Sequence, residues 1–270
     1  MGIDHYENFP VASILVPAPL RWPIREIYRF ARTADDIADE GQASAGQRLE
    51  QLAALRTELG HIASGNYPGE GSWAGLAAAV QHFGLDLRLL DDLLCAFEKD
   101  VRGMAVHRYE DLYEYCRQSA NPVGRLLLTL YRRTEPALLQ WSDHICTGLQ
   151  LVNFWQDIDR DLEKGRLYIP DSEFARFGVQ PAQVAQRRTS EAWRRMIAAQ
   201  TQIAREHLRA GQPLARALGG RIGWELRLVV QGGLRIAERI DAVGGDVFHR
   251  RPVLRPADWL RMLARAMVMR

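Results

Sequence analysis

Apolar residues recur along this chain in steps of three and four, the period of a buried helix face, over almost its whole length. Ile24, Ile27, Tyr28, Phe30 and Ala31 form the first such stripe. Pro23 just ahead of it fits a first helical turn, where the missing N–H costs nothing. Residues 1–20, with Pro10, Pro17 and Pro19, therefore read as an irregular lead. Gly41 closes the first helix as a C-cap. Leu49, Leu52, Leu55 and Leu59 mark a second helix ending near Gly60, and a loop built from Asn66, Pro68, Gly69, Gly71 and Ser72 follows.

Helical patterns resume at once over residues 73–83 and 87–104, with Asp86 as N-cap of the latter. Residues 109–131 form a long apolar stretch that Pro122 should kink or break. One helix is expected over 136–163, ended by Gly165, with two amphipathic helices over 182–211 and 221–243. Strand-like alternation of useful length is missing, as are G-x-G-x-x-G and Walker motifs. The expectation is an all-α bundle spanning 1–270 as a single domain, the natural size for 270 residues.

Composition narrows the function. A formal net charge of +2 with no basic block argues against nucleic acid as a partner. Cys95, Cys116 and Cys146 are odd in number and lack zinc spacing, so they read as thiols in a reducing cytoplasm. Neither a signal peptide nor a membrane-spanning run is evident, and the expectation is a cytoplasmic protein, soluble or peripheral at a membrane. The tail sets Trp259, Leu260, Leu263 and Met267 against Arg261, Arg265 and Arg270. That pattern suits a helix lying on a membrane surface and equally one packed on the bundle.

The chemistry concentrates in two acidic clusters. In LQLVNFWQDIDRDLEKGRLYIP, the residues Gln150, Asn153, Asp157 and Asp161 follow one another in steps of three or four. On a helix they share a face, and the two aspartates lie about 6 Å apart along the axis. In IYRFARTADDIADE, Asp35 and Asp39 repeat that spacing beside Asp36, with Arg32 one turn before. Like charges at this spacing cost a helix about 0.2–0.5 kcal/mol per pair. A hard divalent cation reverses that sign, since magnesium takes one or two carboxylates together with phosphate oxygens and water. One acidic pair alone is more simply a solvated helix face, and the pair Asp91 and Asp92 is assigned nothing. Two clusters on apolar helices, each with an amide or guanidinium one turn away, point instead to a magnesium-bound diphosphate.

These motifs resemble the squalene/phytoene synthase family over residues 5–248. The family's two aspartate-rich motifs match Asp35 with Asp39 and Asp157 with Asp161. Its Gln-xx-Asn-xxx-Asp-xxx-Asp pattern is Gln150, Asn153, Asp157 and Asp161, and its Arg-x-Tyr is Arg166 and Tyr168. The resemblance implies an isoprenoid-synthase-type bundle with a central cavity between two metal-bearing helices. It implies Asp35, Asp36, Asp39, Asn153, Asp157 and Asp161 toward magnesium, Arg32, Gln150 and Arg166 toward the diphosphate, and Asn121 toward the substrate beside the cavity. His5 and Phe9 match a segment that lies over the active-site mouth of relatives. Tyr28, Tyr115 and Tyr168 supply π-faces for a carbocation; Tyr115 could also guide a proton or water with its hydroxyl, and Trp155 reads as core. Three positions depart from the pattern. Gln156 stands where many relatives have a basic residue, Asn121-Pro122 replaces the usual small residues, and Gly245 stands at or near a usual tyrosine.

Within the family, HYENFPVAS, ARTADDIADE and NPVG are similar to the hydroxysqualene synthase branch of bacterial hopanoid biosynthesis. That resemblance implies magnesium-dependent loss of diphosphate from presqualene diphosphate, rearrangement, and capture of the cation by water. Its partners would be an isoprenoid diphosphate substrate and functional neighbours in the hopanoid pathway. Two alternatives stay open: head-to-head condensation of prenyl diphosphates to presqualene diphosphate, squalene or phytoene, and the role of family members that have lost catalysis and assist assembly of respiratory complexes.

Overall fold

A computed structural model describes residues 15–65 and 67–269. Among them the periodic stripes become fourteen helices, and no strand is present. In chain order these are α1 (Ala18–Asp39), α2 (Ala45–Ala63), α3 (Ala74–Phe83), α4 (Leu87–Arg102), α5 (Tyr109–Ser119), α6 (Asn121–Leu130) and α7 (Pro136–Gln156). Then follow α8 (Ile158–Glu163), α9 (Asp171–Phe177), α10 (Pro181–Ala185), α11 (Glu191–Gly211), α12 (Pro213–Leu218), α13 (Gly220–Ala242) and α14 (Pro256–Val268). No helix among the described residues is long and apolar enough to cross a membrane.

The chain divides into two compact units. Among the described residues, one holds those up to Arg102 together with Pro122–Glu135; the other holds Gly103–Asn121 and those from Pro136 onward. In the first unit, Ile24, Ile27 and Phe30 of α1 pack with Leu52 of α2, Leu76 of α3, Leu90 of α4 and Leu126 of α6. Phe30 meets Trp73 edge-on at 5.3 Å. Ser44 and Gln47 close a capping box at the start of α2. Asp86 accepts the Arg88 N–H at 3.0 Å, as an N-cap should.

The second unit is organised around α7. Gly148 and Gly211 let α7 and α11 approach closely. A Cβ on Gly148 would lie 2.9 Å from the Leu208 backbone nitrogen, and one on Gly211 2.6 Å from the Trp141 carbonyl oxygen. Helix α13 packs on both α7 and α11, and α14 packs on α13.

Three boundaries differ from the sequence pattern. Helix α1 begins at Ala18 with Pro19 in its first turn, so Pro23 lies inside the helix rather than at its start. Buried Pro23, Ile24, Ile27, Phe30, Ala34 and Ala38 share one stripe, and this packing outweighs the cost of the interior proline. The stretch 182–211 divides because Arg187 takes φ 53° and Ser190 caps α11 by accepting the Trp193 N–H at 3.2 Å. The expected helix 136–163 breaks at Asp157, between α7 and α8. Aspartate is a poor interior helix residue, and the Asp157 side chain makes no hydrogen bond to the start of α8 but turns to Arg251. The break expected at Pro122 falls just before it, with Ala120 closing α5 and Pro122 in the first turn of α6, where a proline is tolerated.

Candidate active site

The break at Asp157 leaves the spacing of the acidic face intact. The Asp157 N–H donates to Asn153 C=O and the Asp161 N–H to Asp157 C=O, each at 2.9 Å. Gly165, with φ 72°, ends the run. Its N–H reaches Leu162 C=O at 3.0 Å, while the Arg166 N–H reaches Asp161 C=O at 2.8 Å, the pair of bonds that defines a Schellman cap. Arg166 is thereby fixed one backbone hydrogen bond from Asp161. Gln150, Asn153 and Asp161 are half-buried, and Asp157 is buried.

Asp157 has a cation of its own. The Arg251 guanidinium donates to its two carboxylate oxygens at 2.5 and 2.9 Å. Arg160 stands 3.8 Å away. The neighbouring Gln156 donates through its amide to Pro252 C=O at 2.6 Å. Arg251 lies in the connection between α13 and α14, outside any periodic pattern, so the sequence reading does not find it.

Beside this face lies a buried group of rings. Phe154, one turn before Asp157, stacks on Tyr168 with centroids 3.9 Å apart and planes at 15°. Tyr115 of α5 leans on Phe154 at 5.7 Å and on Tyr168 at 5.5 Å. Tyr115 and Tyr168 are two of the aromatic candidates of the sequence analysis; Phe154 joins them here. Trp155 is fully buried, in keeping with its reading as core. Asn121 is buried as well, and its side-chain oxygen accepts the Thr147 hydroxyl of α7 at 3.1 Å.

In the first unit, Tyr28, Arg32, Asp35, Asp36 and Asp39 lie half-buried along α1, between its fully buried positions. Arg32 reaches Asp35 at 2.8 Å, Asp36 at 2.6 Å and Glu40 at 2.9 Å. Burial works against its charge, but Asp35, Asp36, Glu40 and Tyr28 outweigh it and hold the guanidinium above its usual range. The aspartates occupy the end of α1, and its last turn contains no basic residue. Carboxylates there oppose the helix dipole, so stability alone does not favour the cluster.

Among the described residues, no three His, Cys, Asp or Glu side chains converge into a ready-made metal cage. Magnesium does not require one, because it commonly uses one or two carboxylates and completes its shell with phosphate oxygens and water. The acidic face of each unit offers such oxygen donors, and in each a guanidinium already stands against the carboxylates as a positive stand-in. The donor sets therefore fit magnesium. His5 and Phe9 lie outside the described residues. A shallow open depression of about 430 Å³ lined by Ala43, Gln47, Glu50, Gln51 and Ala54 contains none of the candidate residues.

A helical fold bearing Asp-xxx-Asp faces, guanidiniums and a buried aromatic group defines a class of protein that handles diphosphates of apolar molecules. The squalene/phytoene synthase family model matches residues 4–258, and the chain belongs to that family. The hydroxysqualene synthase of Zymomonas mobilis subsp. mobilis is 40% identical over 170 residues, covering 61% of this chain and 54% of that protein. The chain thus aligns with about half the length of that relative. The hydroxysqualene synthase of Rhodopseudomonas palustris is 31% identical over 256 residues, covering 94% of this chain and 85% of that protein. Among solved structures, squalene synthase HpnC from Alicyclobacillus acidocaldarius superposes with a TM-score of 0.82 at 34% identity, covering 89% of this chain and 90% of that one. A dehydrosqualene synthase in complex with ligand gives a TM-score of 0.85 at 19% identity over 98% and 92% of the two chains, which shows the shared fold.

Proposed function

We propose that this chain is a hydroxysqualene synthase of hopanoid biosynthesis. It accepts presqualene diphosphate, releases diphosphate by cleavage of the carbon–oxygen bond, and guides the rearranging carbocation to water. Water adds its oxygen to the cation and loses a proton, giving hydroxysqualene. The observation that carries this reading is an adjacency at the end of α7. Phe154, stacked on Tyr168, lies one turn from Asp157, which engages a guanidinium. One end of that face suits an anionic leaving group; the other suits the cation left behind.

Each acidic face would hold magnesium by its own donors: Asp35, Asp36 and Asp39 on α1, and Asn153, Asp157 and Asp161 along α7 and α8. Magnesium, when bound, supplies Lewis-acid neutralisation of the leaving diphosphate. Arg32 and Arg166 would add planar donor forks for phosphate oxygens, with Gln150 as a further donor. The rings of Tyr115, Phe154 and Tyr168 are buried away from water and would present π-faces to positive charge. Asn121, whose oxygen already accepts from Thr147, would direct its amide N–H groups toward substrate or water.

Gly245 supports water capture over condensation. Its φ of 70° strains any residue with a Cβ, and its carbonyl accepts the Trp193 indole N–H at 2.9 Å. The backbone here is shaped for glycine, and the tyrosine usual in relatives has no unstrained place at this position.

The protein would work peripherally on the cytoplasmic surface of a membrane, consistent with an isoprenoid substrate. Of the seven exposed large hydrophobic residues among those described, Trp259, Leu260, Leu263, Met267 and Val268 lie on α14. Its other face packs on α13 through Asp258, Met262 and Ala266. Arg261 flanks the apolar side and matches the charge of anionic headgroups, while Arg265 on the same flank is paired with Glu238.

The test is product analysis with magnesium and without nicotinamide, offering presqualene diphosphate and farnesyl diphosphate separately. Hydroxysqualene from the first, with the second untouched, is the expected result. Consumption of farnesyl diphosphate to a condensed product would move the chain to the condensing enzymes. Inertness toward both would favour a non-catalytic role.

A further inference from the structure

Asp157 is engaged by Arg251 through both carboxylate oxygens, and its side chain is only 11% exposed. A carboxylate so far out of water is not left without a counter-charge. Each carboxylate oxygen keeps a second lone pair, but a guanidinium and a divalent cation gathered on one carboxylate repel each other. A divalent cation that enters therefore loosens the contacts to Arg251 and favours its release from at least one oxygen.

The displaced guanidinium would not go far. Arg251 belongs to a short connection pinned at both ends. On one side, Phe248 stacks on Trp193 at 4.4 Å and Asp246 accepts the Thr189 hydroxyl at 2.9 Å. On the other, buried Asp258 accepts from Arg235 at 2.6 Å and from Arg239 at 2.7 Å, and from the Arg255 N–H at 2.7 Å. Between these anchors, the Gln156 amide holds Pro252 C=O at 2.6 Å. Gln156 immediately precedes Asp157, so the residue that lacks a charge tethers the residue that has one. With 34% of its side chain exposed, Arg251 remains accessible to a ligand. The acceptor that suits a planar fork beside a metal-bearing carboxylate is a pair of phosphate oxygens.

We propose that Arg251 is an exchangeable counter-ion: it neutralises Asp157 before the metal arrives, then turns its guanidinium to the substrate's diphosphate when a divalent cation takes the carboxylate. The Gln156–Pro252 contact positions it for both states. This inference rests on the assignment of Asp157 as a metal ligand.

The two roles have effects of opposite sign, which a structural residue would not produce. Manganese binding without phosphate is read by electron paramagnetic resonance, and inorganic pyrophosphate binding to the manganese-loaded protein by calorimetry. Arg251→Gln removes the competitor for Asp157, so manganese should bind roughly threefold tighter or more, while pyrophosphate binds roughly tenfold weaker or more. Arg251→Lys, which keeps charge but loses the fork, should fall between wild type and Arg251→Gln for pyrophosphate. Gln156→Ala removes only the tether and covers the case in which Arg251→Gln fails to fold. Its pyrophosphate affinity should drop severalfold, and an unchanged value overturns the proposal. Manganese binding that is unchanged or weaker in Arg251→Gln also overturns it, as does unchanged pyrophosphate binding. Asp157→Asn separates the two layers. If wild type binds manganese and Asp157→Asn does not, a flat response at Arg251 overturns this inference alone. If the two bind alike, the metal assignment of Asp157 fails and this inference fails with it.

Discussion

The ring of Phe154 lies flat on the ring of Tyr168, with 3.9 Å between centroids and 15° between planes. One belongs to the last turns of α7; the other follows the Gly165 turn. The chain doubles back within fourteen residues to make the pair, and Tyr115 leans on both from α5. A ring face in a dry site stabilises a nearby cation by about 2 kcal/mol. If these rings face the carbocation, Tyr168→Leu and Phe154→Leu should each lower kcat roughly thirtyfold. Tyr168→Phe should retain most of the rate. Steady-state rates on presqualene diphosphate check this, and a Tyr168→Leu enzyme of full rate would exclude a π-face role.

The carboxylate pairs should behave differently from the rings. Asp35→Asn, Asp39→Asn, Asp157→Asn and Asp161→Asn each keep side-chain size and remove charge. Metal-assisted departure of a diphosphate is worth several kcal/mol, so each change should cost a hundredfold or more in kcat. The helical circular dichroism should remain that of wild type. Full turnover of any one variant at saturating magnesium would remove that residue from the ligand set.

A pH effect on stability should come from His207. Its Nδ1 lies 3.3 Å from Nδ1 of His144, and its ring tilts against Tyr113 at 5.3 Å. Burial and the His144 ring hold its pKa below the usual histidine value, against the opposing pull of Glu206. The unfolded chain therefore binds the proton more readily than the folded one, and stability rises with pH. The contribution is complete above the ordinary histidine range, near pH 6.5, and is lost as pH falls through that value toward the lowered one. The urea midpoint of wild type should drop between pH 7.5 and 5.5, and His207→Gln should flatten the drop. Equal pH dependence in the two proteins would exonerate His207.

The outward face of α14 is open to direct test with vesicles. Leu260 and Met267 are 73% and 65% exposed. Burying such side chains in a bilayer interface is worth about 1.5–3 kcal/mol each. Leu260→Asp with Met267→Asp should therefore reduce binding to phosphatidylglycerol vesicles more than tenfold. Wild-type binding should weaken with added salt and on neutral vesicles, because the arginine contribution is screened. Sedimentation that is equal for both proteins would mean that this face does not meet lipid.

Much of the molecule is legible in its residue order, for identifiable reasons. The apolar stripe from Ile24 to Phe30 predicts a helix because burial depends on which residues share a face, and spacing alone fixes that. The same rule puts Gln150, Asn153, Asp157 and Asp161 on one side, and Gly165 at the end of their run. The misplaced boundaries lie where the spacing rule meets a competing contact. Pro23 sits inside α1 because its stripe is buried from end to end. The helix 136–163 breaks at Asp157, the residue that Arg251 engages, while the hydrogen bonds on both sides of the break survive.

What the sequence by itself determined is therefore local: the helical class, the family motifs, and the acidic faces with their neighbouring amides and guanidiniums. These depend on contacts three or four residues apart, which every helix of such a sequence must make. Only the tertiary structure decided that Arg251 caps Asp157 from ninety-four positions away, that Gln156 tethers Pro252, that Phe154 joins Tyr115 and Tyr168, and that Asn121 bonds to Thr147. No periodicity encodes those pairings. They follow from how α5, α7, α11 and α13 pack, and that packing is settled by close approaches such as Gly148 on Leu208 and Gly211 on Trp141, where the absence of one carbon sets the distance between helices.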